Sequence, residues 1–181
     1  MDERRIGDLL VDAGVVTRAA LEDVLAQKPT LGEHRVLSEL YELGYANERK
    51  LAELGAQRVG APVAVLSECV VDLDVVRAVP AALLRDHRAL PVSADERTIT
   101  VVAVEPNDDT VNEQLAFTSG RRVLPLIGIE TILEHTVDAV LEAVARGERF
   151  WRGAQAAVDV DKAHVAVARH APAVALAEAN E

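Results

Sequence analysis

An α+β fold is predicted: a four-helix repeat of two helical hairpins over residues 1–60, a small mixed α/β domain over 61–146, and a flexible or weakly helical tail over 147–181. Three observations predict it. First, Arg5, Leu10, Gly14, Leu21 and Gln27 recur at one constant offset as Arg35, Leu40, Gly44, Leu51 and Gln57, which marks a tandem duplication. Second, helically spaced leucines give way at Gly60-Ala61-Pro62 to short β-rich runs mixed with helices. Third, half of the chain is apolar while only Tyr41, Tyr45, Phe117, Phe150 and Trp151 are aromatic, so a real core must be built from Leu, Val, Ile and Ala.

In the first copy Leu9, Leu10 and Ala13, then Leu21, Val24 and Leu25, fall at helical spacing, with Gly14 where the first helix must end. Glycine suits that position because it takes positive φ without a Cβ penalty. Thr17 is placed to cap the next helix, with Ala20 instead of Glu three residues on, so half of a capping box is present. The second copy repeats the layout, with Gly44 ending a helix, Asn47 as cap, and Leu51 and Leu54 continuing the stripe. Pro29 to His34 links the copies.

Pro62 to Leu66 reads as a short buried strand, and Leu73–Val79 and Ala81–His87 as short helices broken at Pro80. Ala89–Ser93 and Thr98–Val104 are β-rich runs joined by Ala94-Asp95-Glu96-Arg97, a hairpin pattern. A helix from the Glu105-Pro106-Asn107-Asp108 turn through Phe117, closed by Ser119-Gly120, leads to a strand at Arg122–Ile127 and an amphipathic helix at Ile129–Ala145. Beyond Gly147 the chain is rich in Ala and Val with scattered charges, and only a weak helix around Asp161–His170 is expected. Phe150-Trp151 can anchor the tail or meet a partner, and intramolecular packing is the preferred reading.

A net charge of -11 argues against a general nucleic-acid or anionic-membrane binder, which needs a basic face. Residues 1–60 carry 8 Lys/Arg against 11 Asp/Glu, and residues 61–181 carry 11 against 19, so the repeats are only mildly acidic and an Arg pair there can still hold phosphate. Cys69 is alone, which excludes an intrachain disulfide and a Cys-based zinc cluster and fits a reducing, cytoplasmic setting. No apolar run reaches the roughly 18 residues of a spanning helix, and no secretory h-region stands at the start, so no membrane insertion is expected.

The residues of the repeat carry a specific resemblance. Arg5-Ile6-Gly7-x-x-Leu10 with Gly14, Leu21, Leu25 and Gln27 resembles the repeat in the amino-terminal (MshEN, or GspE N-terminal) domain of type II secretion and type IV pilus assembly ATPases. Leu90-Pro91-Val92, Ile99 to Asp108, Phe117-Thr118-Ser119-Gly120 and Val123-Leu124-Pro125-Leu126 resemble the α/β region that follows it in that family. The resemblance covers about residues 4–145. In the branch typified by the mannose-sensitive haemagglutinin pilus ATPase, two such repeats bind one cyclic di-GMP. What this implies here is a ligand site made by Arg5, Gly7, Leu10, Gly14, Leu21, Leu25 and Gln27 together with Arg35, Leu40, Gly44, Leu51 and Gln57.

The chemistry suits that ligand. Cyclic di-GMP has two equivalent halves, so a duplicated hairpin can offer each half the same contacts. Arginine makes paired hydrogen bonds to guanine or phosphate and stacks on bases, and Gln is both donor and acceptor. Gly7 would admit close approach to the backbone, and Leu10, Leu21 and Leu25 would wall a base. The second copy departs from the pattern at Leu37, where the first has Gly7, and at Gly55, where the first has Leu25. An isobutyl group there would block backbone contact, and Gly55 would remove a wall.

Plainer roles stand beside these. Leu10, Leu21, Leu40 and Leu51 are explained by packing alone, Gly14 and Gly44 by helix ends, and Arg5 and Arg35 by solvated charge. His34, His87, His135, His164 and His170 are scattered, with no metal-ligand spacing. The lysines Lys28, Lys50 and Lys162 belong to no G-x-x-x-x-G-K-[ST] motif, so the motor domain's phosphate loop is missing. The expectation is a non-catalytic module, without the ATPase it usually precedes. It would bind cyclic di-GMP and act with secretion, type IV pilus or motility proteins; the alternative is a protein-docking adaptor of that machinery that has lost nucleotide binding.

Overall fold

A computed structural model describes residues 6–27 and 32–156, the side chains of Gln27 and Glu33 excepted. Among them the expected hairpins are present as α1 (Ile6–Asp12), α2 (Arg18–Gln27), α3 (Glu33–Glu42) and α4 (Glu48–Val59). Their ends follow from local chemistry. Gly14 and Gly44 take φ of +67° and +75°. In each copy the glycine N–H donates back to the residue three earlier, Val11 or Tyr41, while Val15 and Tyr45 donate to Leu10 and Leu40, a Schellman ending. Thr17 Oγ1 accepts from Ala20 N at 3.2 Å and Asn47 Oδ1 from Lys50 N at 2.9 Å, so both second helices carry the expected N-cap.

The α/β part runs β1 (Val70–Asp72), α5 (Leu73–Arg77), α6 (Ala81–Asp86), β2 (Ala89–Ala94), β3 (Thr98–Ala103), α7 (Asp109–Ser119), β4 (Arg122–Ile127), α8 (Glu130–Ala145) and β5 (Phe150–Arg152). β2 and β3 form the antiparallel hairpin, with a register shift between Pro91 and Ser93. Asp95 ties its turn, accepting from the Thr98 hydroxyl and from the N–H groups of Arg97 and Thr98, which holds its carboxyl below the usual value. β4 lies parallel to β3, as the α7 crossover between them requires.

Two expectations are corrected. Pro62–Leu66 is not a strand: only Val63 bridges Ile127, and the chain turns into a 3-10 turn at Leu66–Glu68. The cause is a tertiary contact, because the Glu48 carboxylate accepts from Leu66 N at 2.5 Å and Ser67 N at 3.1 Å and draws the chain off the sheet. The expected tail does not begin at residue 147. Phe150–Arg152 pair antiparallel with Val70–Asp72, which puts Val71 opposite Trp151, and Trp151 packs against the core. Gly153 follows where a Cβ would stand 2.3 Å from the carbonyl oxygens of Leu66 and Ser67, so only glycine lets the chain pass. The weak helix expected around Asp161–His170 lies outside the described residues.

Buried side chains form two clusters. One holds the sheet with α5 to α8, including Leu84, Leu90, Val102, Leu115, Leu133 and Val140. The other joins all four hairpin helices and extends past residue 60 to Val63, Val65, Ile127 and Ile129. The repeats are thus seated on the end of β4 and the start of α8.

Candidate functional site

The leucines of the expected site meet inside this second cluster. Leu10, Leu21, Leu40 and Leu51 are all buried there, in contact with one core and away from solvent. Gly7 belongs to the same packing: a Cβ on it would stand 2.9 Å from Leu21 Cδ2, so α2 presses on α1 at this point. Gly14 and Gly44 occupy the two helix ends, with open space around them. The described side chains of the set that reach solvent are Leu25, 37% exposed, Arg35 and Gln57. Arg5 lies outside the described residues, as does the side chain of Gln27.

The two departures of the second copy meet in space. Leu37 is 4% exposed and points at Gly55, whose Cβ, if present, would lie 3.1 Å from Leu37 Cδ1 and 3.3 Å from Ile127 Cδ1. In the first copy the small residue is on the first helix, Gly7, and the large one on the second, Leu25; in the second copy the order is exchanged. The exchange lets α3 and α4 close on β4, and Leu37 sits in the core instead of standing over the surface.

Arg35 has a partner that the sequence did not suggest. Its Nε lies 3.3 Å from Glu130 Oε2, and the other oxygen of Glu130 accepts from Arg88 Nη1. Glu130 is 2% exposed while Arg35 is 55% exposed, so a buried carboxylate in the first turn of α8 anchors a half-solvated guanidinium. Arg88, in the turn after α6, reaches it with φ of +46°. Ser38 Oγ accepts from Thr131 N at 3.2 Å, and the Thr131 hydroxyl donates to Glu42 Oε1 at 2.8 Å, so α3 caps α8 from outside. Nothing in the sequence singles out Glu130 or Glu48, because each acts on groups that are distant along the chain.

The Cys69 thiol lies beside this seam. Burial, with the Glu48 and Glu68 carboxylates, pushes it up to about 12, and it donates to Val65 O at 3.2 Å. It is protonated and unreactive at neutral pH.

A groove of about 540 Å³ runs along α6 and α8, lined by Arg85, Arg88, Glu134, His135 and Asp138 among others. It is away from the repeat leucines and mixes both signs of charge; Arg85 is paired with Asp138 at 3.2 Å. Among the described residues no three His, Cys, Asp or Glu side chains stand together as a metal site, and no helix is long and apolar enough to cross a membrane.

The MshEN domain family matches residues 59–141, after the repeats. The type IV pilus assembly ATPase PilB of Myxococcus xanthus is 22% identical over 134 residues, 74% of this chain and 24% of its own length. PilB of Thermus thermophilus is 26% identical over 125 residues, 68% and 14% respectively. The chain therefore spans about a quarter or less of the length of these relatives. Among solved structures, MshE with cdg, cyclic di-GMP, superposes with a TM-score of 0.54 at 32% identity, covering 76% of this chain and 99% of that one. The N-terminal domain of XpsE superposes at 0.50 with 19% identity, covering 76% and 97%, a likeness of fold. The chain belongs to the MshEN domain family, the amino-terminal domain of secretion and pilus assembly ATPases.

Proposed function

We propose that this chain is a non-catalytic, cytoplasmic regulatory module that binds cyclic di-GMP through its two hairpins and acts in type IV pilus, secretion or motility machinery. The observation that carries the reading is the likeness to MshE with cyclic di-GMP along 99% of that chain. The Leu37/Gly55 exchange is compatible with it, because Leu37 is buried in the core and Arg35 and Gln57 remain at the surface of the second copy. Arg5 and Arg35 would make paired bonds to guanine or phosphate, with Gln27 and Gln57 as neutral partners, and Leu25 as an apolar wall. The buried leucines and the end glycines would act by shaping the hairpins.

Titration calorimetry with cyclic di-GMP tests the proposal. Saturable heat whose affinity falls about tenfold or more, while staying measurable, in Arg35→Ala and in Arg5→Ala is the expected result, and no heat from the native protein at roughly tens of micromolar ligand sinks it.

One observation favours docking as a second reading. Tyr41, Leu43 and Tyr45 are exposed at the end of the second hairpin, where the first has Val11, Ala13 and Val15. Large apolar side chains in that position suit a protein partner. A Leu43→Ser, Tyr45→Ser variant should keep ligand binding and lose a pilus or secretion protein in a pull-down; equal retention removes this reading.

A further inference from the structure

We infer that Glu130 is a positioning residue for ligand capture, holding Arg35 by one edge so that its outer edge faces the acceptor atoms of cyclic di-GMP. The inference rests on the cyclic di-GMP reading and adds a residue from the α/β part to a site otherwise drawn from the repeats.

Three features carry it. Arg35 meets Glu130 through Nε at 3.3 Å, which is the side edge of the guanidinium. A planar guanidinium held there still offers its two terminal nitrogens as a fork for phosphodiester oxygens or for O6 and N7 of guanine. Second, Glu130 does not cancel the charge of Arg35. Its other oxygen is taken by Arg88, so the carboxylate is shared between two guanidiniums and Arg35, 55% exposed, keeps its charge on display. In a chain of net charge -11 that is a local attraction for an anion. Third, Glu130 is itself fixed. It is buried in the first turn of α8, where the helix dipole favours a carboxylate, and α3 is clamped to that turn by Ser38 and Glu42 through Thr131.

A flexible arginine loses rotamer freedom when it closes on a ligand, and a side chain already held by its inner edge loses less. Glu130 therefore contributes to affinity without touching the ligand, and only while Arg35 is present.

Calorimetry on the full chain, arranged as a double-mutant cycle, reads this directly. Glu130→Gln should weaken cyclic di-GMP binding about fivefold to tenfold in the native background and cause no further loss in Arg35→Ala. Circular dichroism checks that each variant is folded. Equal weakening in both backgrounds overturns the inference in favour of a purely structural role, and so does unchanged affinity. Should Glu130→Gln fail to fold, Arg88→Gln at the half-exposed partner position serves instead. It removes one positive charge from the seam, so affinity and its salt dependence should both fall, and an unchanged salt dependence overturns the inference. Native protein that gives no heat removes the ligand reading and this inference together. A native protein that binds and is weakened by Arg35→Ala, but ignores Glu130→Gln, removes this inference alone.

Discussion

The two hairpins share a plan and differ in what holds them. The second is fastened to the α/β part by many contacts: Gly55 against Ile127, Arg35 to Glu130, Ser38 and Glu42 to Thr131, Glu48 to the N–H groups of Leu66 and Ser67, Arg49 to Glu68, and the Val59 carbonyl to Asn107. The first sits in the same apolar cluster through Ile6, Leu10, Val16 and Leu21, and α1 packs on α4. Position 48 makes the contrast concrete. The second copy places a buried Glu there, while the first places Arg18, an exposed residue paired with Asp8 at 3.0 Å. A duplicated unit has thus divided its work: one copy became part of the platform, and the other kept its Gly7 and an exposed Leu25.

Symmetrising the core is the harshest test of that division. Leu37→Gly should cost about 4 kcal/mol, a lost buried leucine plus a helical glycine. For the same reason it is a poor probe of ligand binding by itself. Adding Gly55→Leu transplants the first copy's arrangement, and the double variant should recover at least about 1 kcal/mol relative to the sum of the singles. Strict additivity in denaturant melts would break the view that the two residues are one exchange.

Next in size is Glu48→Ala, which strips the acceptor from two N–H groups under a buried seam and should cost about 3 kcal/mol by urea unfolding. Loss of less than about 1 kcal/mol would mean that water replaces the carboxylate there. The Cys69 thiol adds a pH dependence at the same seam. Its folded value lies above its ordinary one, so its contribution is complete below about 9 and declines as pH rises from there toward about 12. Gly14→Ala and Gly44→Ala should each cost about 1 kcal/mol, because both glycines hold positive φ in open space. Equal costs would sharpen the comparison, since this is a feature the copies still share. Arg18→Ala should change stability by no more than about 0.5 kcal/mol, as an exposed ion pair does.

Much of the architecture was legible before the structure. The helix ends at Gly14, Gly44 and Gly120, the caps at Thr17 and Asn47, the strand at Arg122–Ile127 and the helix ending at Ala145 all follow from local rules. The strands Val70–Asp72 and Phe150–Arg152 were not legible, because each has three residues and exists only by pairing with a distant partner. The candidate site divides in the same way. The repeat singled out Arg35, Gln57 and Leu25 as side chains of interest, and the packing role read for Leu10, Leu40 and Leu51 is the one found, since all three are wholly enclosed.

By itself the sequence determined the duplication, the helices and the longer strands, and the membership of a family, since periodicity, caps and motif spacing act within short stretches of chain. The tertiary structure alone decided that Leu37 and Gly55 compensate one another, that Glu48 bends residues 66–68 off the sheet, and that Glu130 holds Arg35. Each of these joins residues that are far apart along the chain, and burial sets its strength: a carboxylate or a missing methyl group matters most where water cannot take its place.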